Sequence, residues 1–128
     1  MQIHKATAFT LPRSIWARGE GSIKSYLLRA ADGKMCCVGV YLEACGVSRE
    51  SLKGEREAQS VQLGEDPPYT AEDLIADRDG AGEAIATLYN DNDEVIGKGV
   101  STFANEEERE ERIIEGFADL GVVCTIVD

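Results

Sequence analysis

Residues 105–128, NEEEREERIIEGFADLGVVCTIVD, carry the clearest structural signals in the chain. Asn105 is a favoured helix N-cap, and carboxylates fill the turn that follows it, where the helix dipole stabilises negative charge. The apolar residues that recur at helical spacing are Ile113, Ile114, Phe117 and Leu120. This pattern predicts a helix from Asn105 to Leu120, ended by Gly121, and then a strand from Val122 to Val127.

A second strand is predicted at the other end of the chain, from Gln2 to Leu11, with apolar residues at odd positions and Pro12 as its end. Two half-buried terminal strands pair most simply in one sheet, with helices covering one face. We therefore predict a single α+β domain over residues 1–128. It should contain a small antiparallel sheet that includes the N- and C-terminal strands and packs against two to four helices.

The segment from Lys34 to Cys45 is predicted to form a buried helix, because its apolar residues, Met35 among them, share one helical face. Gly46 follows at the position where a left-handed residue commonly ends a helix. A short strand from Ser25 to Ala30 is expected before this helix, separated from it by an Asp32-Gly33 turn.

The middle of the chain carries weaker signals. Residues 48–69 show no clear period and are expected to form a long loop with about one turn of helix. Thr70, with Asp73 three residues later, predicts the start of a short helix. A second short helix is expected from Gly82 to Leu88 or Tyr89. Residues 90–93, Asn-Asp-Asn-Asp, predict a polar turn, and residues 94–102 a weak hairpin or an ordered loop.

The 128 residues carry a net charge of −11, which is unevenly distributed. Residues 1–64 hold nine basic and six acidic residues, whereas residues 65–128 hold four basic and eighteen acidic ones. This charge repels nucleic acid and anionic membranes, so neither is an expected partner. Because there is neither an apolar run of membrane-helix length nor a secretory signal, we expect a cytoplasmic protein.

Few residues could support catalysis by a nucleophile or a metal. His4 is the single histidine, and it is expected to be an ordinary surface or half-buried residue. Cys36, Cys37, Cys45 and Cys124 lack the paired spacing of a zinc site, so we expect them to pack as small hydrophobes. No metal and no cofactor is predicted.

Carboxylates are abundant but not grouped by spacing. Asp91 and Asp93 alternate with asparagines, as the ligands of a calcium loop do, but the closing ligand and turn glycine of such a loop are missing. A turn is therefore the favoured interpretation. A small metal-dependent nucleotide hydrolase that uses these two carboxylates is the enzymatic alternative.

The first third of the chain combines cations with glycines. Arg13, Arg18, Lys24, Arg29 and Lys34 surround the loop from Gly19 to Ser22, and Trp16 lies beside it. Glycine amides together with cations can bind an anion, and Trp16 or Tyr26 could stack on a base. Two interpretations stay open, a basic face that pairs with the acidic half of the chain, and an anion or nucleotide site. The candidate ligand-binding residues are Trp16, Arg18, Gly19, Ser22, Lys24 and Lys34.

Several segments together resemble a family of small uncharacterised bacteriophage and prophage proteins. The segments that carry the resemblance are Trp16-Ala-Arg-Gly19, Ser25-Tyr-Leu-Leu28, Gly33-Lys-Met-Cys-Cys-Val-Gly39, Ala44-Cys-Gly46, Asn90-Asp91 or Asn92-Asp93, Glu108 to Ile113, and Val122 to Asp128. The resemblance covers most of the chain outside residues 50–80. It implies a phage setting and assigns no role to any residue.

In that setting we expect a phage-encoded, non-enzymatic binding protein that counters a host antiviral system in the host cytoplasm. Its expected partner is a small anionic ligand, a nucleotide-type signal, which it would sequester with the basic first third. The alternative is an inhibitor whose acidic helix occupies a basic host protein surface, with candidate contacts at Glu107, Glu108, Glu111 and Glu115. Pairing of basic and acidic faces between copies would give a homo-oligomer.

Overall fold

The computed structural model describes residues 3–19, 26–65, 68–76, 81–96 and 103–128. The elements of these residues are β1 (Ala8–Pro12), α1 (Cys37–Ala44), α2 (Arg49–Leu52), a short 3-10 helix (Ala58–Ser60), β2 (Gln62–Glu65), β3 (Pro68–Thr70), α3 (Ala71–Ile75), α4 (Ala81–Asp93), α5 (Glu106–Asp119) and β4 (Val123–Val127). The predicted α+β class is confirmed.

The terminal strands pair as predicted, but the predicted antiparallel direction is wrong. β1 and β4 form a parallel two-stranded sheet in which Phe9 lies opposite Cys124 and Leu11 opposite Ile126. A parallel pair needs a long crossover connection, and the helical chain between these strands supplies one. The antiparallel pair in the described residues is the separate β2–β3 hairpin.

The inner face of the β1–β4 sheet is covered by α1 and α5. Phe9, Tyr41 and Phe117 form an aromatic cluster whose ring centroids lie 4.8–5.4 Å apart, which is the range of favourable aromatic pairs. The hydroxyl of Tyr41 donates a hydrogen bond to the carbonyl of Ala6 at 2.6 Å. Of the apolar residues predicted to share one face of this helix, Ile113, Phe117 and Leu120 are buried in the core, whereas Ile114 is 40% exposed.

Two predictions before α1 are corrected by the structure. The helix begins at Cys37 rather than Lys34, because Met35 is held in a parallel bridge to Trp16. The strand predicted from Ser25 to Ala30 is reduced, within residues 26–30, to a single bridge from Leu28 to Lys53.

Gly39 allows α1 to pack directly against the backbone of the preceding segment. A Cβ atom at this position would lie 2.0 Å from the carbonyl oxygen of Leu27. Only glycine permits so close an approach of two backbones. At the other end of α1, Gly46 has a φ of +99°, so the predicted left-handed residue is confirmed.

Residues 48–69 contain more structure than the predicted loop, with α2, the 3-10 helix and β2 in this range. The helix start predicted at Thr70 is confirmed by a reciprocal capping box with Asp73. The N-cap predicted at Asn105 is also confirmed, since its side chain accepts a hydrogen bond from the Glu108 N–H at 3.0 Å.

The predicted turn at residues 90–93 is wrong, because α4 continues through Asp93. The tertiary contacts of Asn92, described below, outweigh the turn preference of this residue type. Most of the hairpin or loop predicted for residues 94–102 lies outside the described residues, as do Ser22 and Lys24 of the candidate ligand site.

Candidate functional site

Four cationic side chains converge on one surface depression of about 380 Å³, here called the basic depression. Its lining residues are Arg13, Trp16, Ala17, Arg18, Arg29, Lys34 and Glu106. Three of the predicted ligand-binding residues, Trp16, Arg18 and Lys34, therefore lie together. Glu106 is the one carboxylate among these lining residues.

Backbone hydrogen bonds between two segments build this depression. The N–H of Ala17 donates to the carbonyl of Met35 at 2.7 Å, and the N–H of Met35 donates to Ile15 at 2.8 Å. The N–H of Arg29 donates to the carbonyl of Lys34 at 2.8 Å, which closes the turn at Asp32-Gly33. Arg13 and Lys34, which are 21 positions apart, thus lie on one concave surface.

Carboxylates of the acidic helix α5 neutralise part of this surface. Arg18 Nε lies 3.1 Å from Glu106 Oε1, and Arg13 Nη2 lies 2.7 Å from Glu110 Oε1. The hydrogen bonds from Arg13 hold the pKa of Glu110 below its ordinary value. This supports the predicted pairing of the basic face with the acidic half. Since the pairing occurs within one chain, it gives no reason for two copies to associate through these faces.

Arg29 and Lys34 also line the basic depression. Arg29 Nη2 lies 2.9 Å from Asp32 Oδ2, and this contact lowers the pKa of Asp32. Lys34 is exposed, and its ammonium group makes no ion pair with another described residue. Lys34 is therefore the cation of this surface that an incoming anion reaches without breaking an existing pair.

Trp16 and Gly19 do not offer the contacts predicted for them. The Trp16 side chain is 3% exposed, and the guanidinium of Arg18 lies 4.5 Å above its ring. A base could stack on the indole only after Arg18 had moved. Gly19 adopts the left-handed backbone expected of a glycine, with a φ of +69°, but its N–H already donates to the carbonyl of Asn92 at 2.8 Å.

A buried polar cluster centred on Asn92 and Arg109, here called the polar hub, lies beneath the depression. Asn92 Oδ1 accepts hydrogen bonds from Trp16 Nε1 at 2.6 Å and from the Cys37 N–H at 3.1 Å. Asn92 Nδ2 donates to the carbonyl of Ala17 at 3.0 Å and to Asp93 Oδ1 at 2.9 Å. All four hydrogen-bonding sites of the amide are thus used. The bond to Cys37 caps α1 from a distant residue.

Arg109, which is 1% exposed, ties α5 to the end of α4. Its guanidinium donates to the carbonyls of Asp91, Asn92 and Glu94, and its Nε donates to Glu106 Oε1 at 3.1 Å. A cation at the C-terminal carbonyls of a helix is favoured by the helix dipole. Glu106 Oε1 also accepts from Arg18, so one carboxylate oxygen joins the polar hub to the basic depression.

The sequence contains a signal for the polar hub that composition alone does not reveal. Asn92 continues the spacing of Ile85 and Leu88 on the buried face of α4, and Arg109 precedes Ile113 by one helical turn. A polar residue on an apolar stripe must find partners inside the protein. These positions could have been identified as buried, whereas their partners depend on the tertiary structure.

The predicted partner-binding carboxylates, Glu107, Glu108, Glu111 and Glu115, are all exposed on α5. Three of them, Glu108, Glu111 and Glu115, line a depression of about 280 Å³ with Phe103 and Arg112. Glu108 Oε2 also accepts a hydrogen bond from the Ala104 N–H at 2.8 Å, so this carboxylate helps to fix the start of α5.

The four cysteines are buried free thiols, which confirms that they pack as small hydrophobes. Burial raises the pKa of Cys36 and of Cys124 to about 12 and raises that of Cys37 as well. These thiols therefore stay protonated at neutral pH and react slowly.

His4 is exposed, as predicted, and its backbone N–H donates to the carbonyl of Cys45 at 2.9 Å.

Asp91 and Asp93 do not form a joint site. Two residues apart on α4, they point in directions that differ by about 200°. Burial raises the pKa of Asp91.

In residues 3–19, 26–65, 68–76, 81–96 and 103–128, no three potential metal ligands cluster. No helix in these ranges has both the length and the apolar character needed to cross a membrane.

Comparison of the chain with protein-family models, with curated proteins and with solved structures gives no match.

Proposed function

We propose that this protein is a non-enzymatic binding protein that holds a small nucleotide-type anion in the basic depression. We further propose that it acts for a bacteriophage, by removing such a signal from a host antiviral system in the host cytoplasm. The observation that carries the binding proposal is the convergence of Arg13, Arg18, Arg29 and Lys34 on one concave surface of a chain with a net charge of −11. The phage setting rests on the sequence resemblance.

The size and chemistry of the depression suit this class of ligand. Its volume of about 380 Å³ falls within the range of small-molecule sites. Guanidinium groups bind phosphate oxygens in a bidentate way, with charge-assisted hydrogen bonds. Arg18 and Glu106 are both partly exposed, and exposed ion pairs contribute only ~0–1 kcal/mol. A phosphate can therefore replace Glu106 as the partner of Arg18 at little cost.

Thermal unfolding against a ligand panel tests the proposal. The panel contains cyclic nucleotides, cyclic oligonucleotides and ADP-ribose derivatives. A ligand at 100 times its dissociation constant adds about 2.7 kcal/mol to the free energy of unfolding, or roughly 5–15 °C in melting temperature for a domain of this size. The absence of a shift across the whole panel would contradict sequestration of a nucleotide-type signal.

Charge-reversal variants locate the site. Lys34→Glu should remove the ligand-induced shift, because an exposed cation that lines the depression becomes a repulsive carboxylate. Lys53→Glu is the matched control, since it makes the same charge change at an exposed lysine that does not line the depression. Equal loss of the shift in both variants would mean that net charge, rather than this site, governs binding.

The second candidate function is blockade of a basic protein surface by α5. On one flank of this helix, Glu106 and Glu110 form ion pairs with Arg18 and Arg13. On the other flank, Glu107 and Glu111 are exposed to solvent. Such carboxylates accelerate association with a basic partner and make binding sensitive to salt. Reversal of Glu107 and Glu111 to lysine should then abolish capture of that partner, while Lys34→Glu should leave capture unchanged.

A further inference from the structure

β4 exposes an uncharged, apolar surface that is unusual for a parallel strand. Val123 is 64% exposed and Val127 is 37% exposed, with Thr125 between them on the same face. The neighbouring residues of β1 on this face, Ala8 and Thr10, are also uncharged and exposed. Parallel sheets are normally covered on both faces. Of the four large hydrophobic side chains exposed in the described residues, two belong to this strand.

Among the described residues, one edge of β4 also finds no partner for its backbone. The N–H of Val123 donates to Thr7, and the carbonyl of Val127 accepts from Arg13, so odd-numbered residues of β4 bond to β1. The N–H and carbonyl groups of Cys124 and Ile126 therefore point to the opposite edge. No backbone group of the described residues bonds to them there.

This edge has none of the features that keep strands apart. Edge strands of monomeric proteins usually carry a lysine, a proline or a bulge. β4, with the sequence VCTIV, has no charge, no proline and no glycine. By contrast, the outer edge of β1 contains Pro12, which has no N–H to offer a further strand. Of the two outer edges of this sheet, as residues 3–19 and 103–128 define them, the β4 edge is thus the one open to extension.

We propose that β4 pairs in antiparallel fashion with β4 of a second copy of this chain, across a twofold axis at Thr125. The strand is self-complementary in this register. Val123 then lies opposite Val127 of the second copy, and Thr125 opposite Thr125, which are favourable cross-strand pairs. Cys124 and Ile126 form the hydrogen-bonded pairs, which use the four edge groups that β1 leaves free.

Charge favours a second copy at this strand over the other surfaces of the protein. Two chains of net charge −11 repel each other, so they approach best where the surface carries no charge. Asp128, the acidic residue next to the strand, is paired with Arg13 at 2.7 Å. A twofold contact uses the same strand of both copies, so it leaves no second β4 edge for a third copy. The outer edges of the four-stranded sheet are then the two β1 strands, where Pro12 lacks the N–H that a further strand would need. The assembly therefore stops at a dimer.

The mass of the protein in solution tests this proposal. We expect the full chain to have twice the mass of one copy at micromolar concentration in sedimentation or light-scattering measurements. Thr125→Lys and Thr125→Glu should each give a monomer, because they place like charges directly opposite each other at the axis. An equimolar mixture of the two variants should return to the dimer, because lysine then faces glutamate. Thr125 is exposed, so folding is preserved.

Thr10→Lys is the matched control, because Thr10 lies beside Thr125 on the same exposed face but one strand away from the proposed edge. It should remain a dimer. A monomeric natural sequence, a dimer in either single Thr125 variant, or a mixture that stays monomeric would overturn the proposal. So would loss of the dimer in Thr10→Lys, which would indicate stacking of sheet faces, and so would assemblies larger than a dimer.

Discussion

The polar hub and the basic depression each contain an arginine that binds Glu106 Oε1, but the two arginines lie in opposite environments. Arg109 and Asn92 are at most 1% exposed, and the Asn92 amide is fully hydrogen-bonded inside the protein. Arg18 is partly exposed, and its pair with Glu106 can exchange with water. A buried polar group that loses its partner costs much more than an exposed one. The hub therefore stabilises the fold, and the depression is the surface that can respond to a ligand.

The largest effect is expected for Asn92→Leu, which keeps the side-chain volume but removes all four hydrogen-bonding sites. The Trp16 indole N–H, the Cys37 N–H and the Ala17 carbonyl would stay buried without these bonds. Each such group costs about 1–3 kcal/mol, so we expect a loss of about 3–5 kcal/mol in the free energy of unfolding in urea. Asn90→Leu, on the exposed side of the same helix, is the control. A similar loss in both variants would contradict the role of the hub.

The second largest effect is expected for Arg109→Met, with a loss of about 2–4 kcal/mol in the free energy of unfolding. The carbonyls of Asp91, Asn92 and Glu94 lose the guanidinium as a donor, and that of Asn92 keeps its bond from the Gly19 N–H. Arg109→Lys should recover only part of this loss, since an ammonium group lacks the planar fork of a guanidinium. Both are measured by urea unfolding against Arg112→Met, an exposed arginine on the same helix. Full recovery by lysine would show that charge alone is required at this position.

Trp16→Phe removes one donor of the hub and should cost about 1–2 kcal/mol. The Asn92 amide would keep its bond to Cys37, so the effect is smaller than that of Asn92→Leu. In the Asn92→Leu background, the same substitution should cost less, because the indole N–H has already lost its acceptor. Far-UV circular dichroism is the suitable probe, since Trp16 is the single tryptophan. Additive losses would indicate that the two side chains act independently.

Glu110→Gln should have the smallest effect, a lowering of the melting temperature by no more than a few degrees that disappears at high salt. The Arg13 contact lowers the pKa of Glu110 in the folded protein. This contribution is therefore present above the ordinary pKa of a glutamate and is lost as the pH falls through the lower folded-state value. Glu107→Gln, on the exposed flank of α5, is the control. A large, salt-independent loss would place Glu110 in the core network instead.

Structural features that depend on a few neighbouring residues were predicted correctly from the sequence. The capping residues Thr70 and Asn105 act through atoms within four residues of themselves, and both are confirmed. Features that depend on contacts between distant segments, such as the start of α1, were not predicted correctly. Met35 has helical spacing with its neighbours, yet its bridge to Trp16 keeps it out of α1.

The candidate site divides in the same way. The clustering of Trp16, Arg18 and Lys34 was predicted from their proximity in sequence, and the structure brings these three residues together. The Gly19 N–H, by contrast, is occupied by the carbonyl of Asn92, more than 70 residues away. Arg18, which covers the Trp16 ring, is also paired with Glu106, 88 residues away. The predicted indole stacking and amide binding therefore did not match the geometry.

By itself, the sequence determined the α+β class, the ends of the helices that begin with a strong cap, the burial of the cysteines and the pairing of the terminal strands. These features follow from the spacing of hydrophobic residues, from residue type and from helix capping, all of which act over a few residues. The tertiary structure alone decided that the terminal strands run parallel and that Asn92 and Arg109 are buried polar residues that join the helices. It also decided that one edge of β4 pairs with no other described strand. These depend on the path of the chain between distant segments, which no local pattern encodes.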